Sequence, residues 1–157
     1  MMNIQKCVKI LEHKNADALV LLNEANMHYL CGFSPSEGMV IMLNNGDAFH
    51  IVDSRYTETA ENHAKETGLK VIEFKTSYYE ELAKIINDSK SKSIVYESNT
   101  ISLKAFENIK KHCKNAQMVE LGDLLMRERN RKDAEEIVLM KKANQIAEKA
   151  FTELLNH

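Results

Sequence analysis

The side chains best equipped for chemistry lie in two short stretches, Phe33 to Gly38 and Asp53 to Tyr56, on either side of a pair of apolar segments. The first carries a ring, a proline, a hydroxyl and a carboxylate (Phe33, Pro35, Ser36, Glu37). The second carries a carboxylate, a guanidinium and a phenol (Asp53, Arg55, Tyr56). A planar guanidinium can grip a peptide carboxylate through two parallel bonds, or it can pair with Asp53 or Glu37 and brace the loop. Phe33, Ser36 and Glu37 can face a substrate, or can form an ordinary connection with one exposed ring. Tyr29 and Tyr56 read as core rings with hydrogen-bonded hydroxyls rather than as acids in a reaction. No residue is assigned a catalytic role.

Metal chemistry finds little support in the spacing. The six histidines (His13, His28, His50, His63, His112, His157) include no pair four apart with a neighbouring acid, the arrangement of a zinc helix. Cys7, Cys31 and Cys113 are odd in number, widely spaced and without a Cys-x-x-Cys pair, so they suit neither a disulfide framework nor a zinc site. No metal site is expected within the chain.

The candidate residues need a scaffold that brings them together, and the segment between them provides one. Met39 to Leu43 and Ala48 to Val52 flank Asn44-Asn45-Gly46-Asp47, and Asn-Gly is a strong signal for a type I′ hairpin turn with positive φ at both central residues. Pairing Met39 with about Val52 sets both stretches at one edge of a sheet. A binding surface carried on a rigid frame needs such a gathering.

Around this hairpin, helical and extended patterns alternate. Ile4, Cys7, Val8 and Leu11 predict a helix over Asn3 to Lys14, Ala18 to Leu22 a strand apolar on both faces, and Tyr56 to Ala64 a helix stopped by Gly68, with Asp53 or Ser54 as its cap. The stretch from Asn26 to Gly38 reads as a loop. Strands at Val71–Phe74, Ser93–Tyr96 and Gln117–Leu121 are separated by helices at Tyr78–Asn87 and Ser102–Cys113. This alternation predicts an α/β fold: a mostly parallel mixed sheet of about six strands with one β-hairpin and helices on both faces.

At 157 residues, with 44% hydrophobic and 28% charged residues, the chain suits one domain with an appended element. A formal charge of −2 argues against nucleic acid or an anionic membrane as partner, and no apolar run approaches the length of a membrane span or a secretory signal. A cytoplasmic location is expected. After Leu121 the character changes: a short turn at Leu124–Met126, a polar run Arg127–Lys132, then Asp133-x-x-Glu136, which fits a capping box. The helix expected there bears an apolar stripe through Leu139, Ala143, Ile146, Ala147, Ala150, Phe151, Leu154 and Leu155, which needs a partner. The organisation expected is an α/β domain over 1–122 and, over 123–157, a linker with the first helix of a further domain.

In order along the chain, Asp17-Ala18-Leu19-Val20, the Tyr29-Leu30-x-Gly32-Phe33 core, Glu37-Gly38, Asp53-Ser54-Arg55-Tyr56 and Arg131-Lys132-Asp133-Ala134-Glu135-Glu136-Ile137 make this sequence resemble the N-terminal domain of the creatinase and proline-specific aminopeptidase/dipeptidase family. The resemblance implies a parent that hydrolyses Xaa-Pro bonds with two divalent metals (manganese, cobalt or zinc) in a C-terminal domain whose ligand motifs do not occur here. It also implies a homodimer, short Xaa-Pro peptides as substrates, and a substrate-proximal loop at Phe33 to Gly38, near Arg55 and Tyr56. Cys31, where threonine is frequent, and Pro35 depart from the commonest pattern. A free-standing α/β module that binds a small ligand at its strand ends, and a purely structural dimerisation domain, are the alternatives; the first lacks Gly-x-Gly-x-x-Gly and P-loop signatures.

Overall fold

The computed structural model describes residues 4–155, which leaves Asn3 of the expected first helix and His157 outside it. The elements run α1 (Ile4–Lys14), β1 (Ala18–Leu21), α2 (Glu24–Cys31), β2 (Gly38–Leu43), β3 (Ala48–Val52), α3 (Thr57–Thr67), β4 (Lys70–Glu73), α4 (Tyr78–Asp88), β5 (Ser93–Tyr96), α5 (Leu103–His112), β6 (Gln117–Glu120), α6 (Leu124–Asn130) and α7 (Ala134–Leu155). The six strands form one sheet in the order β4-β3-β2-β1-β5-β6. Pairing is parallel at β1/β5, β3/β4 and β5/β6. It is antiparallel at β2/β3 and also at β1/β2, since β1 and β2 are joined by a short helix rather than a full crossover.

Strand periodicity divides the core into two layers, because successive side chains point to opposite faces. Leu19, Leu21, Val40, Met42, Ala48 and Val95 meet Cys7, Leu11, Met27 and Leu30 from α1 and α2 on one face. Ala18, Val20, Met39, Ile41, Ile51 and Ile94 meet Leu82, Ile86 and Ile109 from α4 and α5 on the other. The central strands β1 and β2 are buried along their whole length, which explains their unbroken apolar sequence.

Several local features differ from the sequence reading. The segment Glu24–Cys31 is a helix, capped by the Asn23 side chain on the Asn26 amide and ended by Gly32 at φ +69°. At the hairpin only Gly46 has positive φ. Leu43 closes with Asp47 across a three-residue loop, so a turn over Leu43–Gly46 followed by a left-handed Gly46 replaces the type I′ turn. Helix α3 starts at Thr57 with no side-chain cap, since the Asp53 carboxylate is taken by Arg55. The capping box is present as expected: Asp133 N–H donates to Glu136 Oε2 and Glu136 N–H to Asp133 Oδ1.

At the edge away from the hairpin ends, Asp17 ties three segments. Its Oδ2 accepts from the Lys92 amide at 2.8 Å and from the Ser93 amide and hydroxyl, and its Oδ1 accepts from Asn44 Nδ2. The Lys92 amide is the largest cause holding this carboxyl below the ordinary carboxylate range, against a smaller opposing effect of burial. A depressed native pKa adds stability above the unfolded value near 3.9, and that stability is lost as pH falls through the native value. Asp17→Ala is therefore expected to cost about 2 kcal/mol at neutral pH and to flatten the acid limb of the stability profile below about pH 4, measured by urea unfolding. An unchanged acid limb would refute this role.

The chain divides into two compact units, Met1–Leu125 and Met126–His157. Within the second, the apolar side chains of α7 lie exposed, among them Ile146 (63%), Phe151 (63%) and Leu154 (74%).

Candidate functional site

The register Gly38↔Val52 and Met39↔Ile51 sets the Phe33–Gly38 loop beside the Asp53–Tyr56 turn, one residue from the pairing expected. Phe33 is half-buried in a cluster of rings, 5.7 Å from Tyr56, 5.8 Å from His50 and 5.8 Å from His63, with which it is nearly parallel. Pro35 is buried. Ser36 Oγ and the Tyr56 hydroxyl lie 2.9 Å apart, a second tie between loop and turn. Beside these anchors Ser36 and Glu37 are exposed to solvent. All five candidate residues therefore share one edge: Phe33 anchors, Tyr56 links, and Ser36, Glu37 and Arg55 form the outer surface.

Arg55 takes the bracing role. Its Nε lies 3.0 Å from Asp53 Oδ2, its Nη2 donates to the same oxygen, and its guanidinium sits 5.4 Å from the centre of the Tyr56 ring. The Asp53 carboxylate pushes the Arg55 pKa up, and the guanidinium holds Asp53 down. The Arg55 side chain is 64% exposed, so the pair is screened by water from that side and orients the turn more than it stabilises the fold.

His50 lies beneath the loop, 2% exposed, and its Nε2 has no hydrogen-bond partner. Burial, with a smaller push from His63, lowers its pKa to about 4. The ring is neutral at neutral pH, and a charge on it would weigh against the fold as pH drops below the ordinary histidine value.

Adjoining the loop is a cleft of about 750 Å³ at the carboxyl ends of β1 and β5. Pro35 to Gly38 form one wall, Tyr78 at the start of α4 another, and the first turns of α2 and α5 the rest. Asn23, Ser77 and Ser102 cap the three helices that begin here. Glu97, 4% exposed, forms part of the lining. Its Oε2 accepts from the Leu22 amide at 2.6 Å and the Asn23 amide at 2.8 Å, and its Oε1 from Asn26 Nδ2 at 2.6 Å. Burial pushes the Tyr78 hydroxyl's pKa up, with the Tyr79 hydroxyl and the Glu37 charge adding to the shift. Sequence reasoning missed Tyr78 and Glu97, since a tyrosine opening a helix and a glutamate after a strand have no distinguishing pattern. Asn23, three residues before Asn26 and followed by Glu24, was the one available signal that a helix started there.

Among the described residues no group of three or more His, Cys, Asp or Glu side chains could hold a metal ion, so these residues do not fit a two-metal centre. No helix among them is long and apolar enough to cross a membrane.

The chain is a member of the Creatinase/Prolidase N-terminal domain family, which matches residues 3–131. It is similar to the Xaa-Pro dipeptidase of Pyrococcus furiosus, 27% identical over 147 residues, which are 94% of this chain and 40% of the relative. Among solved structures it resembles the Xaa-Pro dipeptidase from Bacillus anthracis (TM-score 0.89, 25% identity, 98% of this chain and 42% of that one). It also resembles the X-Pro aminopeptidase from Thermotoga maritima MSB8 (TM-score 0.81, 30% identity, 92% and 42%). The chain thus spans about two fifths of the length of these relatives, matching their N-terminal part.

Proposed function

We propose that the chain is the non-catalytic N-terminal domain of a metal-dependent Xaa-Pro peptidase, contributing dimer contacts and a loop that limits which substrates reach the active site. Residues 1–122 form the domain, and 123–157 lead into a catalytic domain that binds two divalent metals, manganese, cobalt or zinc. The parent acts in the cytoplasm as a homodimer on short Xaa-Pro peptides. The carrying observation is the doubly anchored loop: Phe33 among three rings and Ser36 on Tyr56 keep the Ser36–Glu37 tip in place while leaving it exposed. A rigid, polar, outward tip suits the trimming of a neighbouring site. The exposed apolar residues of α7 support an adjoining domain that covers them.

In the full-length dimeric peptidase, Glu37→Ala is expected to change the ratio of kcat/KM for a Xaa-Pro dipeptide over a Xaa-Pro tripeptide by about fivefold, roughly 1 kcal/mol, with the dimer intact. An unchanged ratio would reduce the domain to a structural dimerisation element. Turnover of a Xaa-Pro dipeptide by this chain alone with manganese would overturn the non-catalytic assignment.

A further inference from the structure

Glu97 is the one carboxylate among the described residues that is nearly removed from solvent, and no lysine or arginine pairs with it. Its three donors are neutral: two backbone amides and the Asn26 side chain. A carboxylate offers about four acceptor positions, so one remains open, and an ion out of water needs a countercharge more than it needs further dipoles. Glu97 lines the cleft, as do the exposed carboxylates Glu24 and Glu37, and no basic side chain does.

The sign of the preferred ligand follows from comparing the charges present. Three helix starts bring about half a positive charge each, yet Glu97 already accepts from the Leu22 and Asn23 amides just ahead of α2, the Asn23 side chain accepts from the Asn26 amide, and Ser77 and Ser102 each accept from one amide of α4 and α5. Three carboxylates outweigh what is left. A metal ion is a poor occupant, since the described residues offer no metal-binding group of three. An organic ammonium needs no fixed coordination, and the half-buried Tyr78 ring and the apolar Met27 and Ile101 can receive the rest of such a molecule.

We propose that the cleft between the Pro35–Gly38 loop, Tyr78 and Glu97 binds a small primary ammonium with an apolar side chain, of the kind found at the amino end of a short peptide. The ammonium lies between Glu97 and the rim carboxylates, and the apolar part lies on Tyr78. The site is complete within this chain and stands independently of the peptidase reading.

The test is a backbone-amide NMR titration of this chain at pH 6.5 with L-leucinamide, which carries an ammonium and no carboxylate. Parallel arms use 4-methylpentanoate, the same apolar group on an anion, and magnesium chloride. The expected result is saturable shifts at Asn23, Thr100 and Ser102 with leucinamide alone. The Glu24→Gln/Glu37→Gln double variant, altered only at exposed positions, is expected to bind about tenfold more weakly. Absence of saturable shifts, equal shifts from 4-methylpentanoate or magnesium, or unchanged affinity in the double variant would overturn the proposal. Because the titration needs neither a catalytic domain nor a second copy, its failure leaves the peptidase reading untouched.

Discussion

Gly38→Ala is expected to lower stability by about 3–5 kcal/mol and Tm by roughly 10 °C, one of the largest effects of any single methyl added to this chain. A Cβ at this position would collide with the Ile51 carbonyl oxygen and stand 2.9 Å from Pro35 Cγ. The first of these atoms is backbone of the partner strand and cannot step aside as a side chain would. The backbone at φ +153° adds a conformation that residues with a Cβ rarely adopt. Relief requires β2 and β3 to separate where the loop enters the sheet, so the variant should also loosen the Phe33 anchor. Thermal unfolding gives the magnitude. A loss under 1 kcal/mol would mean that the close approach of strand and loop is not a constraint.

Glu97→Ala is expected to cost about 3–5 kcal/mol, because it strands two backbone amides and an asparagine side chain in a nearly dry place. Glu97→Gln should fall between wild type and alanine. Its carbonyl oxygen can still accept from the Leu22 and Asn23 amides, whereas its NH₂ opposes Asn26 Nδ2. Denaturant unfolding of the three proteins checks the order. Equal stability of the glutamine and alanine variants would show that the amide contacts are not what holds α2 to the end of β5.

The sequence made most of this architecture legible, for identifiable reasons. Ala18–Leu21 and the first hairpin strand are runs of apolar residues, the second is broken only by His50, and the periodic Leu82, Ile85 and Ile86 face one layer only. The Asp133/Glu136 box follows from two residues at fixed spacing. Helix α2 escaped notice because its eight residues mix Asn, His and Tyr with only three buried positions, so it shows almost no amphipathic pattern. The turn type escaped because Asn45-Gly46 serves a two-residue and a three-residue loop equally well, and the Leu43–Asp47 pairing decides between them. The shared edge of the five candidate residues was legible because they flank a recognisable hairpin. Glu97 was not, since its importance comes from partners 71 to 75 positions away.

That long separation bears on the order of folding. Strand β1 is hydrogen-bonded on one side to β2, about twenty residues on, and on the other to β5, some seventy-five residues on. Closing the shorter loop costs less entropy, so the β1-β2-β3 meander should form first, with one side of β1 open until β5 arrives. Asp17 and Glu97, reaching across from opposite ends of the same strand pair, then act as late fasteners of that seam. Pulse-labelled hydrogen exchange during refolding should protect the β2 and β3 amides before those of β5 and β6, and the reverse order would contradict it. During synthesis the unpaired side of β1 is where a nascent chain would be open to joining a neighbouring copy.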